Sequence, residues 1–187
     1  MKKVLISGFE PFGNHAENSS QIIAELFKEV DLPGLEIRSI ILPVTFSSCF
    51  DHLKAEIENF NPDYVVCLGL ADKRTAITLE RVAINLIHSK VPDNDGVNYL
   101  DRPVIENGPA AYFSTLPLKE MRNLKTDFLV EESYSAGTYV CNYLMYQVLN
   151  YLKDSDIKAG FIHLPHLKDN KDLVFKSILQ ILRITKD

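Results

Sequence analysis

The sequence predicts an α/β/α sandwich with a mainly parallel central sheet, and three observations carry that reading. Short, unbroken apolar runs recur along the chain and end at glycine or proline, as fully buried strands do. Longer segments with apolar residues at helical spacing lie between them, and such alternation belongs to a sheet covered by helices on both faces. The 187 residues are 46% hydrophobic and no Pro/Gly/Ser-rich linker divides them, so a single domain over 1–187 with one sizeable core is expected.

The elements follow in order. "KVLISG" (3–8) is a buried strand ended by glycine. "SSQIIAELFKEV" (19–30) is a helix with Asn18 or Ser19 as its cap. "LEIRSIILPV" (35–44) is a strand, and "TFSSCFDHLKAEIENF" (45–60) a helix opening at Thr45 or Ser47. "DYVVCLGL" (63–70) is a second buried strand. Residues 75–87, "TAITLERVAINLI", alternate enough for one strand, interrupted by Glu80 and Arg81. A helix over 117–126, a strand over 127–133 and a strong helix over 139–154 come next. "KAGFIHLP" (158–165) is a strand, and residues 171–184 form the closing helix. In open α/β sheets ligands gather at strand C-terminal ends. That rule singles out the loops after residues 8, 44, 70 and 133, and the end of 158–163.

Composition excludes several classes. The 20 basic and 25 acidic residues are interspersed, with a net charge of −5 and no basic stripe for nucleic acid. Nothing approaches the roughly 18 apolar residues of a membrane span. The apolar run at 4–6 is cut by Ser7 and Gly8, too short for a signal-peptide core, so a cytoplasmic location is expected. Cys49, Cys67 and Cys141 are an odd number, widely spaced and without C-x-x-C, which predicts neither a disulfide framework nor a zinc ribbon.

Four features invite a chemical reading. "SAGTYVCN" (135–142) sets Cys141 a few residues past a turn, where a helix begins. Either small residues pack there, or the helix terminus lowers the thiol pKa and makes a nucleophile. "GFEPFGN" (8–14) has phosphate-loop spacing but no Lys-Ser/Thr after Gly13, so no Walker site is read. Its Phe9 and Phe12 either fold back onto the core or clamp a small flat group. "HLPH" offers His163 and His166 as candidate bases, and no neighbouring cluster makes them a metal site. Glu80 stands in an apolar strand: either it is buried and needs a partner, or the strand is half-exposed and Glu80 pairs with Arg81 or Arg74. A thiol at a helix start, a histidine at a strand end and a carboxylate in a strand are the parts of a Cys–His–acid triad.

The chain resembles the pyroglutamyl peptidase I family of cysteine peptidases. The resemblance rests on "GFEPFG" (8–13), "LPV" (42–44), "GLADKR" (69–74), "ITLERVAIN" (77–85), "VPDNDG" (91–96), "AYFSTLP" (111–117), "SAGTYVCN" (135–142) and "GFIHLP" (160–165), in that order. It implies a twisted central sheet, a triad of Glu80, Cys141 and His163, and a pyroglutamyl pocket lined by Phe9, Phe12, Thr45, Val91 and Val140. Backbone groups near Leu70 are candidates for its polar contacts. The implied activity is removal of an N-terminal L-pyroglutamyl residue through a thioester, with small pyroglutamyl peptides as partners and no cofactor. The alternatives are a weakly active or non-catalytic lactam-binding homologue and a nucleoside-phosphorylase-like enzyme of similar sandwich fold, for which the sequence shows no phosphate-binding arginine set. The family's "DARIPDN" reads "HSKVPDN" here, with Lys90 for arginine, and its Gly-rich turn reads "DKR" (72–74). The segment after His163 is short, on the side that borders the cleft and the family's tetramer contacts.

Overall fold

A computed structural model describes residues 1–186. Among these, six strands form one sheet in the order β2-β1-β3-β8-β4-β7. These are β1 (Lys2–Phe9), β2 (Leu35–Leu42), β3 (Tyr64–Leu70), β4 (Ile77–Glu80), β7 (Val130–Ser133) and β8 (Lys158–Leu164). Two further strands, β5 (Val82–Ile84) and β6 (Ala111–Phe113), pair antiparallel in a small sheet. The helices are α1 (Ser19–Leu26), α2 (Cys49–Phe60), α3 (Leu118–Arg122), α4 (Val140–Tyr151) and α5 (Lys171–Leu182).

The central strands β1, β3 and β8 are buried on both faces, which is why their sequences are continuous apolar runs rather than alternating ones. They pair parallel with one another and with β2. At the other end β7 carries Glu131 and Glu132, charges that suit an edge strand. Two apolar clusters flank the sheet. One joins α2 and α4 to Leu5, Cys67 and Phe161. The other joins α1, α3 and α5 to Val4, Leu68 and Ile162. Each large aliphatic side chain fully buried this way contributes about 1.5–3 kcal/mol, so the sheet is a rigid platform for whatever its faces carry. No helix among the described residues is long and apolar enough to cross a membrane.

Three expectations change. The helix expected from residue 45 begins at Cys49. Residues 45–48 form a turn instead, closed by a 2.8 Å hydroxyl pair between Thr45 and Ser48 and by Phe46 N–H donating to Asp93 Oδ2 at 2.9 Å. The single strand expected over 75–87 breaks at Arg81. Arg81 N–H donates to the Ser133 carbonyl and its own carbonyl accepts from Ser114 N–H, so the chain passes from the main sheet to the small one. β6, within "AYFSTLP", answers no expected element; its pairing with β5 spans a long loop that local periodicity does not report.

Candidate active site

β4 runs parallel to β7 but antiparallel to β8, and this reversal builds the site. In register, Thr78 faces His163 and Glu80 faces Phe161, so Glu80 lies two residues deeper in the sheet than the imidazole. Glu80 is fully buried and His163 nearly so. The two meet on the diagonal, His163 Nδ1 to Glu80 Oε1, at 2.7 Å. The strand is not half-exposed here, but the pairing with Arg74 is present, Arg74 Nη1 contacting Glu80 Oε1. Arg81 turns outward and pairs with Glu132 at 2.6 Å.

The charges follow from these contacts. Burial alone would raise the Glu80 carboxyl, but its hydrogen bond with His163, supported by Ser133 and Arg74, outweighs burial and holds it below the ordinary value. Burial pushes the imidazole of His163 down, against the pull of Glu80. The resting pair is a carboxylate and a neutral imidazole. An ionised carboxylate only accepts, so Nδ1 carries the proton and Nε2 is left as the base.

Cys141 comes from the opposite layer. Gly137, at φ +80°, takes a left-handed turn that a side chain would strain. Thr138 then exchanges two bonds with His88, its hydroxyl donating to the His88 carbonyl at 2.7 Å and its carbonyl accepting from His88 N–H. Asn142 fixes the first turn of α4, accepting from Ile84 N–H and donating to the carbonyls of Ile84 and Leu86. Among the described residues no side chain caps α4. The sulfur rests against Gly69, the register neighbour of His163: a Cβ there would meet Cys141 Sγ at 3.0 Å and the Phe161 ring at 2.7 Å. Only glycine allows thiol and imidazole strand to approach this closely.

Cys141 is partly exposed, while Cys49 and Cys67 are buried. The helix terminus is expected to lower its thiol; instead burial, reinforced by the Glu80 charge, pushes it up to about 12, with Arg74 opposing. Desolvation therefore dominates the thiol in the free protein. Among the described residues no hydrogen bond joins Cys141 to His163, as is common before substrate tightens a site.

A small cavity, partly open to solvent, lies beside the sulfur. Phe9, Phe12, Leu70, Val140 and Cys141 line it, together with Asn18, Val44 and Tyr139, which the sequence reading does not name as binding residues. Thr45 and Val91 lie outside this lining: Thr45 is buried with its hydroxyl on Ser48, and Val91 is 55% exposed. The "VPDNDG" loop holds the cavity walls together. Asp93 accepts from Phe46, Asp95 and Val97 N–H groups, Asn94 Nδ2 donates to Glu10 Oε1 and the Pro11 carbonyl, and Tyr139 OH donates to the Pro92 carbonyl. No charged side chain lines the cavity among the described residues, and none of their His, Cys, Asp and Glu side chains form a group that could hold a metal ion.

An α/β sandwich that sets a thiol at a helix start against a His–carboxylate pair on its sheet defines a class, the cysteine-type hydrolases. The family model described as pyroglutamyl peptidase matches residues 2–176. A pyrrolidone-carboxylate peptidase of Vibrio parahaemolyticus is 44% identical over 90% of this chain and 81% of its own. One from Thermococcus litoralis is 40% identical over 90% and 79%. The pyrrolidone carboxyl peptidase structure from Fervidobacterium islandicum superposes with a TM-score of 0.95 at 33% identity, over 100% of this chain and 99% of that one. Pyroglutamyl peptidase I of Bacillus amyloliquefaciens gives 0.92 at 33% identity, over 100% and 97%. The chain belongs to the pyroglutamyl peptidase family.

Proposed function

We propose that this chain removes N-terminal L-pyroglutamyl residues from small peptides, with Cys141 as nucleophile, His163 as base and acid, and Glu80 as the group that orients the imidazole. The observation that carries the reading is the 2.7 Å bond between His163 and Glu80 beside a small cavity with Cys141 in its wall. A pyroglutamyl residue is a five-membered lactam without a basic amine. A neutral, aromatic-walled pocket suits it, and a charged α-ammonium would be desolvated there without a counter-ion.

The steps follow from the protonation states. As Cys141 Sγ attacks the carbonyl outside the ring, its proton passes to His163 Nε2, and Glu80 stabilises the imidazolium. The free N–H groups of the uncapped α4 terminus face the developing oxyanion, each donor worth about 3 kcal/mol. The C–N bond breaks as His163 returns the proton to the leaving amine. A water then loses a proton to Nε2 and attacks the thioester, and the C–S bond breaks as His163 returns that proton to Cys141 Sγ, releasing pyroglutamate. The reading places this chemistry in one catalytic unit in the cytoplasm, where three free thiols stay reduced.

The test is release of a chromogenic amine from an L-pyroglutamyl amide beside the L-prolyl amide, which has the same ring size but a charged ring nitrogen. Turnover of the first and not the second is expected. No release from the pyroglutamyl amide by folded protein would leave a lactam-binding homologue.

A further inference from the structure

Glu80 poses a problem that His163 alone does not solve. The carboxyl is fully buried, Oε1 accepts from Nδ1, and Oε2 has no hydrogen-bond partner among the described residues. An isolated carboxylate in such a place takes up a proton. A protonated Glu80 could donate to the imidazole rather than accept from it, and the tautomer that frees Nε2 would be lost.

Arg74 answers this. It stands on the loop between β3 and β4, and its side chain is 29% exposed. Nη1 contacts both Glu80 Oε1 and Thr78 Oγ1, and Nη2 donates to the Ser135 carbonyl at 2.9 Å. One guanidinium thus ties the buried carboxylate to β4 and to the turn that leads into Cys141. A lysine has the charge but not the planar fork that reaches three oxygens at once.

We propose that Arg74 is a positioning residue of this active site: its charge keeps Glu80 ionised, so that His163 holds its proton on Nδ1 and offers a neutral base at Nε2. The inference rests on the peptidase reading above. Its sign follows from counting charge. The titratable groups around the pair are Arg74 from the loop after β3 and Cys141 from α4, and the Ser133 side chain of β7 stands beside Glu80 in register. Asp72 and Lys73, on the same loop, are exposed. With Arg74 present, the guanidinium, the carboxylate and the neutral imidazole sum to zero. Without it the site carries a net negative charge, and the Glu80–His163 pair takes up an extra proton at a higher pH, whichever atom holds it. Arg74 also opposes the upward pull of Glu80 on the Cys141 thiol.

The experiment compares wild type, Arg74→Gln and Arg74→Lys in two measurements: kcat/KM on the L-pyroglutamyl amide against pH, and NMR titration of the His163 imidazole. Arg74→Gln is expected to lose about tenfold or more near pH 6, with the gap closing as pH rises, and its imidazole to titrate at higher pH than wild type. Arg74→Lys keeps the wild-type titration and melts at a lower temperature. A folded Arg74→Gln with an unmoved acid limb and an unmoved imidazole titration overturns the proposal and leaves Arg74 a structural tie. If Arg74→Gln does not fold, the double variant Arg74→Gln/Glu80→Gln decides. It is expected to fold, since no unpaired buried carboxylate remains, and failure to fold overturns the charge role. A wild type without turnover sinks the peptidase reading alone, because the imidazole titration still reads Arg74.

Discussion

His163 donates through Nδ1 to Glu80 Oε1 at 2.7 Å although the two are 83 positions apart and are not register partners. The diagonal exists because β4 runs against β8, which sinks Glu80 below the imidazole and away from water. The depth sets the protonation state on which the alkylation, base and acid-stability expectations below depend.

Cys141 is the partly exposed thiol, so iodoacetamide should add one carbamidomethyl group to the native protein, at Cys141, and stop turnover. With that thiol pushed up to about 12 and the imidazole neutral, the alkylation rate should keep rising between about pH 7 and pH 10. A rate that levels off below about pH 6 would mean a resting thiolate–imidazolium pair instead. Cys141→Ser should lower kcat at least about 10³-fold, while Cys49→Ser and Cys67→Ser retain turnover.

"HLPH" presents two histidines, and their surroundings separate them. His163 faces Glu80; His166 packs against His15 with tilted rings, centroids 5.5 Å apart, beyond Pro165 in the chain. His163→Ala should reduce kcat/KM about 10²–10⁴-fold, the usual worth of general acid–base catalysis. His166→Ala should cost less than about threefold in kcat/KM. The opposite ranking in steady-state kinetics would reassign the base.

The fold was legible where burial writes itself into local sequence. The two-sided burial of β1, β3 and β8 leaves continuous apolar runs, and α4 and α5 show helical spacing. The antiparallel setting of β4 was not legible, because pairing direction depends on the path of the chain and leaves no local period. The break at Arg81 was hidden for the same reason: residues on both sides alternate, but belong to different sheets. For the site, residue types pointed to a thiol, an imidazole and a carboxylate. From sequence Arg74 is readable only as an ion-pair partner, since nothing in "ADKR" says that its guanidinium turns inward. Asn18 was readable as a helix cap, and it does accept from Ser20 N–H at 3.0 Å, but its place in the cavity wall needed the fold.

Acid should destabilise the protein in two stages. The folded imidazole of His163 lies below its ordinary 6.5, and the folded carboxyl of Glu80 below its ordinary 4.5. The folded state therefore binds fewer protons than the unfolded chain as pH falls through these values, and stability declines. The His163 contribution begins to be lost just below about pH 6.5 and the Glu80 contribution below about pH 4.5. Melting temperatures recorded from about pH 8 to pH 4 test this. His163→Asn should flatten the upper part of the decline, Glu80→Gln the lower part. A wild-type melting temperature that stays constant from about pH 7 down to pH 5, with His163→Asn no different, would mean that the imidazole is not held neutral by burial.

Phe9 and Phe12 share a loop and a cavity but not an environment, and their truncations should part company. Phe9 is 2% exposed, belongs to the core on the α2/α4 face, and lies 6.5 Å from the Phe161 ring, centroid to centroid. Phe12 is only partly buried, and its neighbours at the cavity mouth are His15 and Tyr139, at 5.2 and 6.1 Å. Truncating a core phenylalanine costs about 3–5 kcal/mol, so Phe9→Ala should melt far below wild type. It should also bind substrate poorly, because the void it leaves opens into the cavity. Phe12→Ala removes a wall but little core. It should lose less than about 1.5 kcal/mol, as a partly exposed site does, and raise KM for the pyroglutamyl amide several-fold with kcat nearly intact, since what it removes is binding common to ground and transition states. Thermal unfolding and steady-state kinetics on the two variants read both quantities. A Phe12→Ala protein with a large loss of melting temperature and normal kinetics would assign Phe12 to the core, and with it the whole aromatic loop.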